Sequence, residues 1–319
     1  MVRLLGVLGM VLVLYLVLMG MFPNARSLDN HQVLALRLGF YGILTLGVGV
    51  LIVSGGIDLS IGSLVGMSAV VFGLVLEKGS VPGHPAVLAA LVVAGCALIG
   101  LAHGLLVTKL RLQPFLVTLC GLFMYRGLAR WVSRGSVSMP EQADLEQMRT
   151  MLVTGNVLGM PAQLWLFLLI AALLAVLLHG SVYGRYLYAI GHNEQAARYA
   201  GIRTDRYKVL AYVICSTLAG LGGVLFMLYN RTAQASSAGS LLELYAITGA
   251  VLGGCSLRGG EGTIPGMLLG AAVLPMLAQI CIYSPSIGSD LEYTVIGGAL
   301  LLGTIANELL ARRSSARKG

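Results

Sequence analysis

The sequence predicts an all-α polytopic membrane protein of about ten transmembrane helices, with a weak two-half internal repeat and both termini in the cytoplasm. Three observations carry this. Hydrophobic residues make up 57% of the 319 residues and charged residues only 11%, against about 45–50% and about 25% in soluble domains. The mean hydropathy is +0.87. The apolar residues also fall in runs of about 20, the length of helix that crosses a bilayer. Inside lipid, only a helix or a closed barrel satisfies its own backbone. A disordered chain, a disulfide scaffold and an ordinary soluble enzyme are excluded.

The first run, Met1–Phe22, carries Arg3 ahead of a long apolar stretch. It is longer than a signal-peptide core and no small-residue cleavage site follows, so it reads as a retained helix. Further spans are expected at about 36–54, 57–77, 86–108, 112–133, 163–181, 206–229, 241–257, 263–284 and 291–311. The third and eighth of the ten are interrupted by glycine and polar residues. Together they read as one transmembrane domain over 1–319, with a long outer loop at about 134–162 that carries Glu141, Asp144 and Glu146. That loop is either a contact for an extracytoplasmic partner or a solvated connector.

The net charge of +8 reads as topology. Cytoplasmic termini place 13 of the 21 Lys and Arg residues inside: Arg3, Lys109, Arg111, the five between 185 and 208, Arg258, Arg312, Arg313, Arg317 and Lys318. This agrees with the positive-inside rule. Arg26, Arg37, Lys78, Arg126, Arg130, Arg134, Arg149 and Arg231 fall elsewhere, several near span ends where a long side chain snorkels to the interface. No basic patch carries interleaved aromatics, so lipid is the expected environment and nucleic acid is not a partner. The five cysteines are isolated and read as small buried hydrophobes. No HExxH, GxSxG, GxxxxGK[ST] or Cys/His cluster occurs, so no catalytic residue, metal or bound cofactor is expected. His103 and His179, in or beside spans, read as packing or interfacial residues.

Two polar interruptions echo each other. Gly55-Gly56 is followed by Ile57-Asp58-Leu59-Ser60 and by Gly62-Ser63-Leu64-Val65-Gly66-Met67; Gly253-Gly254 is followed by Gly262-Thr263-Ile264-Pro265-Gly266-Met267. Paired breaks of this kind lie near the substrate path in transporters, which makes Asp58, Ser60, Gly62, Ser63, Gly262 and Thr263 path candidates. Gly262, Gly266 and Gly270 also form a stripe that permits close helix approach. Asp58 is costly at membrane depth and so a functional candidate; Asp58 or Ser60 also suits the cap of the next helix. The two roles are compatible. Asn230, Gln234, Tyr245 and Thr248 are further pore-lining candidates.

The polar segment 184–208 specifies a short helix. Asn193 is placed as its N-cap, Glu194 and Arg198 pair at i,i+4 in the favourable order, and Gly201 stands at the stop. A helix of about seven residues spans about 10 Å and is too short to persist alone in water. It should dock, either on this protein and the lipid surface or in a partner's groove.

Three blocks carry a resemblance. Gly55–Gly66 is similar to a GGIDLSxGS block, Gly184–Gly201 to GRxxYAxGxNxxAARxxGI, and Ala250–Gly270 to AVxLGGxSLxGGxGTxxGxxLG. In these the chain resembles the permease subunits of bacterial ABC importers for ribose, xylose and related monosaccharides, in the superfamily shared with branched-chain amino acid permeases. His192 and Cys255 depart from the usual pattern. The resemblance implies a pore subunit of the bacterial plasma (inner) membrane. It implies a second permease copy, cytoplasmic ABC ATPase subunits that hold ATP and Mg, and an extracytoplasmic sugar-binding protein. Asn193, Glu194, Ala196, Ala197, Arg198 and Gly201 match the block that implies ATPase coupling, in a loop at about 182–206. A signal furanosyl compound, a polyol or a branched-chain amino acid are alternative cargoes. The competing class is an ion-coupled secondary transporter, which needs paired ionisable residues within spans; Asp58, Glu243, Asp290, Glu292 and Glu308 lie in or near spans, mostly at their ends.

Overall fold

The computed structural model describes residues 2–78 and 84–284, and beyond them only positions 291, 294, 297, 298 and 301. The tenth expected span (291–311), the basic cluster Arg312, Arg313, Arg317 and Lys318, and Asp290, Glu292 and Glu308 therefore lie outside the described residues, apart from those isolated positions.

The chain forms α1 (Val2–Met21), α2 (Leu28–Val53), α3 (Ile61–Lys78), α4 (Pro85–Thr108), α5 (Pro114–Ser133), α6 (Ala143–Arg149), α7 (Ala162–Ala175), α8 (Val182–His192), α9 (Glu194–Tyr199), α10 (Thr204–Asn230), α11 (Leu242–Leu252) and α12 (Ile264–Tyr283). Each of the nine expected apolar runs within the described residues coincides with a helix. Seven of the described helices are long and apolar enough to cross a membrane, with α7 counted through the π-helical turn Val176–Gly180. The helices at 61–78 and 242–252, the two interrupted runs, are shorter. The protein is an all-α, multi-pass membrane protein.

Local chemistry sets the ends. Pro85 and Pro114 open α4 and α5, where a missing N–H costs nothing. Ser27 caps α2 by accepting from the Asn30 amide at 3.2 Å. This start lies eight residues ahead of the expected 36. The stretch Asp29-Asn30-His31-Gln32 looks like a loop by polarity, but Asp29 suits the positive helix end and Asn30 is buried in a partnered site. As a result Arg37 sits inside the helix and not at its end. Conversely, α3 starts at Ile61 rather than 57, because residues 54–60 leave the helical path.

The core lies along α2 and α10. Against α10, α4 approaches closely at Gly100, which faces Tyr212 and Ser216, and at Gly104, which faces Val209. The Gly266 and Gly270 stripe packs α12 against Gly253 and Gly249 of α11, as small residues do between membrane helices. The 134–162 segment is a folded element and not a bare connector. Its strand β1 (Ser136–Ser138) pairs antiparallel with β4 (Thr232–Gln234), β2 (Asn156–Val157) with β3 (Met160–Pro161), and Leu145 and Val153 are fully buried. Arg149 Nε donates to the Leu228 carbonyl at 3.0 Å, and Arg231 pairs with Glu146 at 2.7 Å. These bonds seat the segment on the end of α10.

One buried polar knot ties α2 to α12. Asn30 Nδ2 donates to the Ala25 carbonyl at 2.7 Å, and Asn30 Oδ1 accepts from Gln279 Nε2 at 2.8 Å and Tyr283 OH at 3.1 Å. Replacing Asn30 by alanine strands three polar groups. A buried group left unpaired costs about 1–3 kcal/mol. Asn30→Ala should therefore lower the thermal midpoint of the detergent-solubilised protein clearly, while an exposed control such as Gln195→Ala leaves it unchanged.

Candidate functional site

The three sequence blocks meet in space. Helix α2 ends with Gly55 at φ +77° and a Gly56 N–H bond back to Leu51 O at 3.1 Å; α11 ends with Gly254 at φ +93° and a Cys255 N–H bond to Ala250 O at 3.0 Å. Both are left-handed glycine stops of the same six-residue pattern. The two interruptions then brace each other: the Gly260 N–H donates to the Val53 carbonyl at 2.9 Å. The end of α8 closes the joint. Tyr188 OH donates to the Gly262 carbonyl at 2.7 Å. Burial, with a smaller contribution from Cys255, pushes the Tyr188 hydroxyl up to about 12, so it remains a donor at physiological pH. A Cβ at Gly191 would overlap both Val53 O and Gly260 N.

Beyond this joint the two breaks differ. Thr263 Oγ1 accepts from the Gly266 amide at 3.2 Å and caps α12; His179 Nε2 accepts from the Ile264 amide at 3.3 Å. Asp58 stands ahead of Ser60 and the start of α3. It is fully buried, and its Oδ1 accepts from the Ser60 amide at 2.8 Å and the Ser60 hydroxyl at 2.6 Å. Ser63 donates to the Ser60 carbonyl at 2.7 Å, and Gly62 packs under Gly239 and Glu243 where a side chain would clash. Asp58, Ser60, Gly62 and Ser63 thus form one cluster, and Gly262 and Thr263 another, joined through Val53 and Gly260.

Two further residues complete the Asp58 cluster: His103, which the sequence reads as a packing or interfacial residue, and Tyr125, which it does not single out. Asp58 Oδ2 faces His103 Nδ1 at 3.8 Å, and His103 Nε2 lies 2.7 Å from Tyr125 OH. The free Asp58 oxygen and His103 Nδ1 are buried without hydrogen-bond partners among the described residues. The one signal in the sequence is a histidine inside an apolar run; its partner, 45 positions away, is visible only in the fold.

The 182–206 loop forms α8 and α9. Asn193 Oδ1 accepts from the Ala196 amide at 3.0 Å. Gly201 has φ +84°, and the Ile202 N–H bonds back to Ala197 O at 3.1 Å. Ala197 is buried. Arg198 pairs with Glu194 and with Asp205, each at 3.2 Å; Lys208 pairs with Glu194, and Lys109 with Asp205 at 3.0 Å. Glu194 and Arg198 therefore brace α9 on the start of α10. The outward face carries Gln195, Ala196 and Tyr199, whose ring is 90% exposed. Of the pore-lining candidates, Asn230 and Tyr245 line one cleft; Gln234 on β4 and Thr248 on α11 are not part of it.

Apolar helices with two glycine-braced interruptions and an exposed short helix define a membrane permease. The chain belongs to the family described as the branched-chain amino acid transport system permease component, whose pattern matches residues 32–304. It is 35% identical to the ribose import permease protein RbsC of Escherichia coli K12 over 83% of this chain and 82% of that protein. It is 35% identical to the autoinducer 2 import system permease protein LsrC of Yersinia enterocolitica over 82% and 70%, and 34% identical to the probable ABC transporter permease protein y4mJ of Sinorhizobium fredii over 99% and 91%. No solved structure matches. The chain is thus the permease component of an ABC-type transport system, a class that works with separate ATPase and substrate-binding proteins.

The joint yields a direct expectation. Gly191→Ala forces a methyl group into backbone atoms, and overpacking of this kind costs about 1–3 kcal/mol. The variant should melt earlier than Gly159→Ala by differential scanning in detergent, although Gly159 has the positive φ and open surroundings. Equal melting would mean the joint is not tightly packed.

Proposed function

We propose that the chain is the pore-forming subunit of an ATP-driven importer for a monosaccharide such as ribose, in the bacterial plasma membrane. The observation that carries this is the convergence of all three sequence blocks on one joint, directly beside an exposed docking helix. The likeness to RbsC favours a pentose; that to LsrC keeps a signal furanosyl compound as the next cargo, ahead of a polyol or a branched-chain amino acid. In this reading ten spans over 1–319 form a single domain with both termini in the cytoplasm, and a second permease copy completes the pore. ATP and Mg reside on the partner ATPases, which do the hydrolysis, and this chain binds no cofactor.

The mechanism follows from the braces. An ATPase receives α9 through Tyr199, Gln195 and Ala196, while Glu194, Arg198 and Asn193 keep the helix folded and seated on α10. When the ATPases close on nucleotide, α9 and α8 move together. Through Gly191 and Tyr188 the movement reaches the ends of α2 and α11, and the pore changes the side to which it opens. Asp58, Ser60 and Ser63 hold the start of α3 on one side of the joint, Gly262 and Thr263 that of α12 on the other. The folded 134–162 segment, with Glu141 and Asp144 exposed, receives the binding protein on the opposite face.

A second reading, ion-coupled secondary transport, draws on one observation: Asp58 and His103 supply the buried ionisable pair it requires. One experiment separates them. In ATP-loaded proteoliposomes of the whole complex, ribose uptake should continue when a protonophore collapses the proton gradient; arrest at constant ATP would favour the second reading. In the same preparation Tyr199→Ala, which truncates a central aromatic anchor, should weaken ATPase association by about 2 kcal/mol, or roughly thirtyfold.

A further inference from the structure

The helices enclose a second polar feature, distinct from the joint. A cavity of about 290 Å³ opens between α2, α7, α10, α11 and α12, at the end of α10 remote from α9. It lies at the small end of ligand sites, which run about 300–1,000 Å³, and so takes one ring and not an extended molecule.

Its lining is unusual for a membrane interior. Arg37 lies nine residues into α2, about 14 Å along the axis from Leu28. Among the described residues it has neither an ion pair nor a hydrogen bond to another side chain. An unpaired ionisable group within a helix long and apolar enough to cross a membrane is a functional candidate. Gln163 is only 1% exposed; its Nε2 donates to the Leu36 carbonyl at 3.3 Å, and its Oε1 is buried without a partner. A buried polar atom left in this state costs free energy, and none of the described residues supplies its hydrogen bond. Asn230 stands exposed on the same cavity. Aromatic faces complete the lining: Tyr41 and Tyr245 stack at 5.3 Å with planes 17° apart, and Tyr229 lies beside Asn230. No Asp or Glu is among the lining residues.

The geometry points to a solute-binding station in this cavity for a neutral polyhydroxylated ring, with Arg37, Gln163 and Asn230 reading hydroxyl groups and the tyrosines covering the apolar face of the ring. This deepens the proposed function and rests on it. The guanidinium fork and the two carboxamides offer donors and acceptors without demanding charge. The lone Arg37 and the absence of acids disfavour a cation. The station would receive solute released by the binding protein before the joint opens the far side.

The test uses the complete transporter in membranes. Ile282→Cys, on the cavity wall but outside the proposed hydroxyl contacts, is labelled by a membrane-impermeant maleimide, with the unsubstituted complex as background for the native cysteines. Labelling is compared with and without saturating D-ribose, D-xylose or gluconate, and ATP-driven ribose uptake is measured in parallel. The expected result is severalfold slower labelling with a neutral sugar and not with gluconate, and loss of that protection in Arg37→Ala and in the size-conserving Arg37→Met. Retained ATPase co-purification reports that each variant is folded. Protection by gluconate alone overturns the neutral-ring assignment. No protection by any of the three, or protection that survives both Arg37 variants, overturns the station, whatever the uptake. Protection by xylose with no ribose uptake supports the station and overturns the ribose reading instead.

Discussion

A polypeptide that leaves the helical path inside a bilayer must find partners for its exposed backbone within the protein, because lipid offers none. The organisation of this chain follows from that constraint. Helices α2 and α11 each end in a left-handed glycine turn, and each end would leave carbonyl and amide groups open. They are closed by one another and by α8: the Val53 carbonyl accepts from the Gly260 amide, and the Gly262 carbonyl from the Tyr188 hydroxyl. The close fit of Gly191 follows from the same need, since backbone can reach backbone only where no side chain intervenes. What satisfies the backbone also makes a mechanical link from the exposed α9 to the two interrupted helices.

Charge at depth is handled in the same economical way. Asp58 directs one carboxylate oxygen to the amide and hydroxyl of Ser60, so it serves as a backbone partner before α3. Its other oxygen looks toward His103, which is held by Tyr125. Asp58 thus spends one oxygen on Ser60, the residue before α3, and turns the other toward His103. Arg37 differs in having, among the described residues, neither an ion pair nor a side-chain hydrogen bond.

Much of this was legible in the sequence. Apolar runs gave the helices, and Asn193, Glu194, Arg198 and Gly201 gave α9 with its cap, pair and stop, because these are local rules acting over a few residues. The start of α2 was misplaced because Asp29 to Gln32 are polar, and polarity alone does not reveal that Asn30 is buried against Gln279 and Tyr283, some 250 positions away. The misplacement also hid that Arg37 lies within α2 and not at its end. His103 and Tyr125 were unreadable as partners of Asp58 for the same reason: three helices bring them together, and no spacing encodes it. The exposure of Tyr199 became visible only once Glu194 and Arg198 were seen to face inward, toward Lys208 and Asp205. The sequence left the 134–162 segment open between a partner contact and a solvated connector because its strands are two or three residues long, too short to leave an alternating pattern.

The central claim is that α9 and the second interruption move as one body. Double electron–electron resonance between spin labels at Ala200→Cys, at the end of α9, and Leu257→Cys, both exposed positions, tests it in the assembled transporter. The account predicts the same distance distribution in the nucleotide-free and ATP-trapped states, while a label pair from Ala200→Cys to Trp131→Cys at the far end of α5 shifts. A change in the 200–257 distance on trapping nucleotide would contradict it.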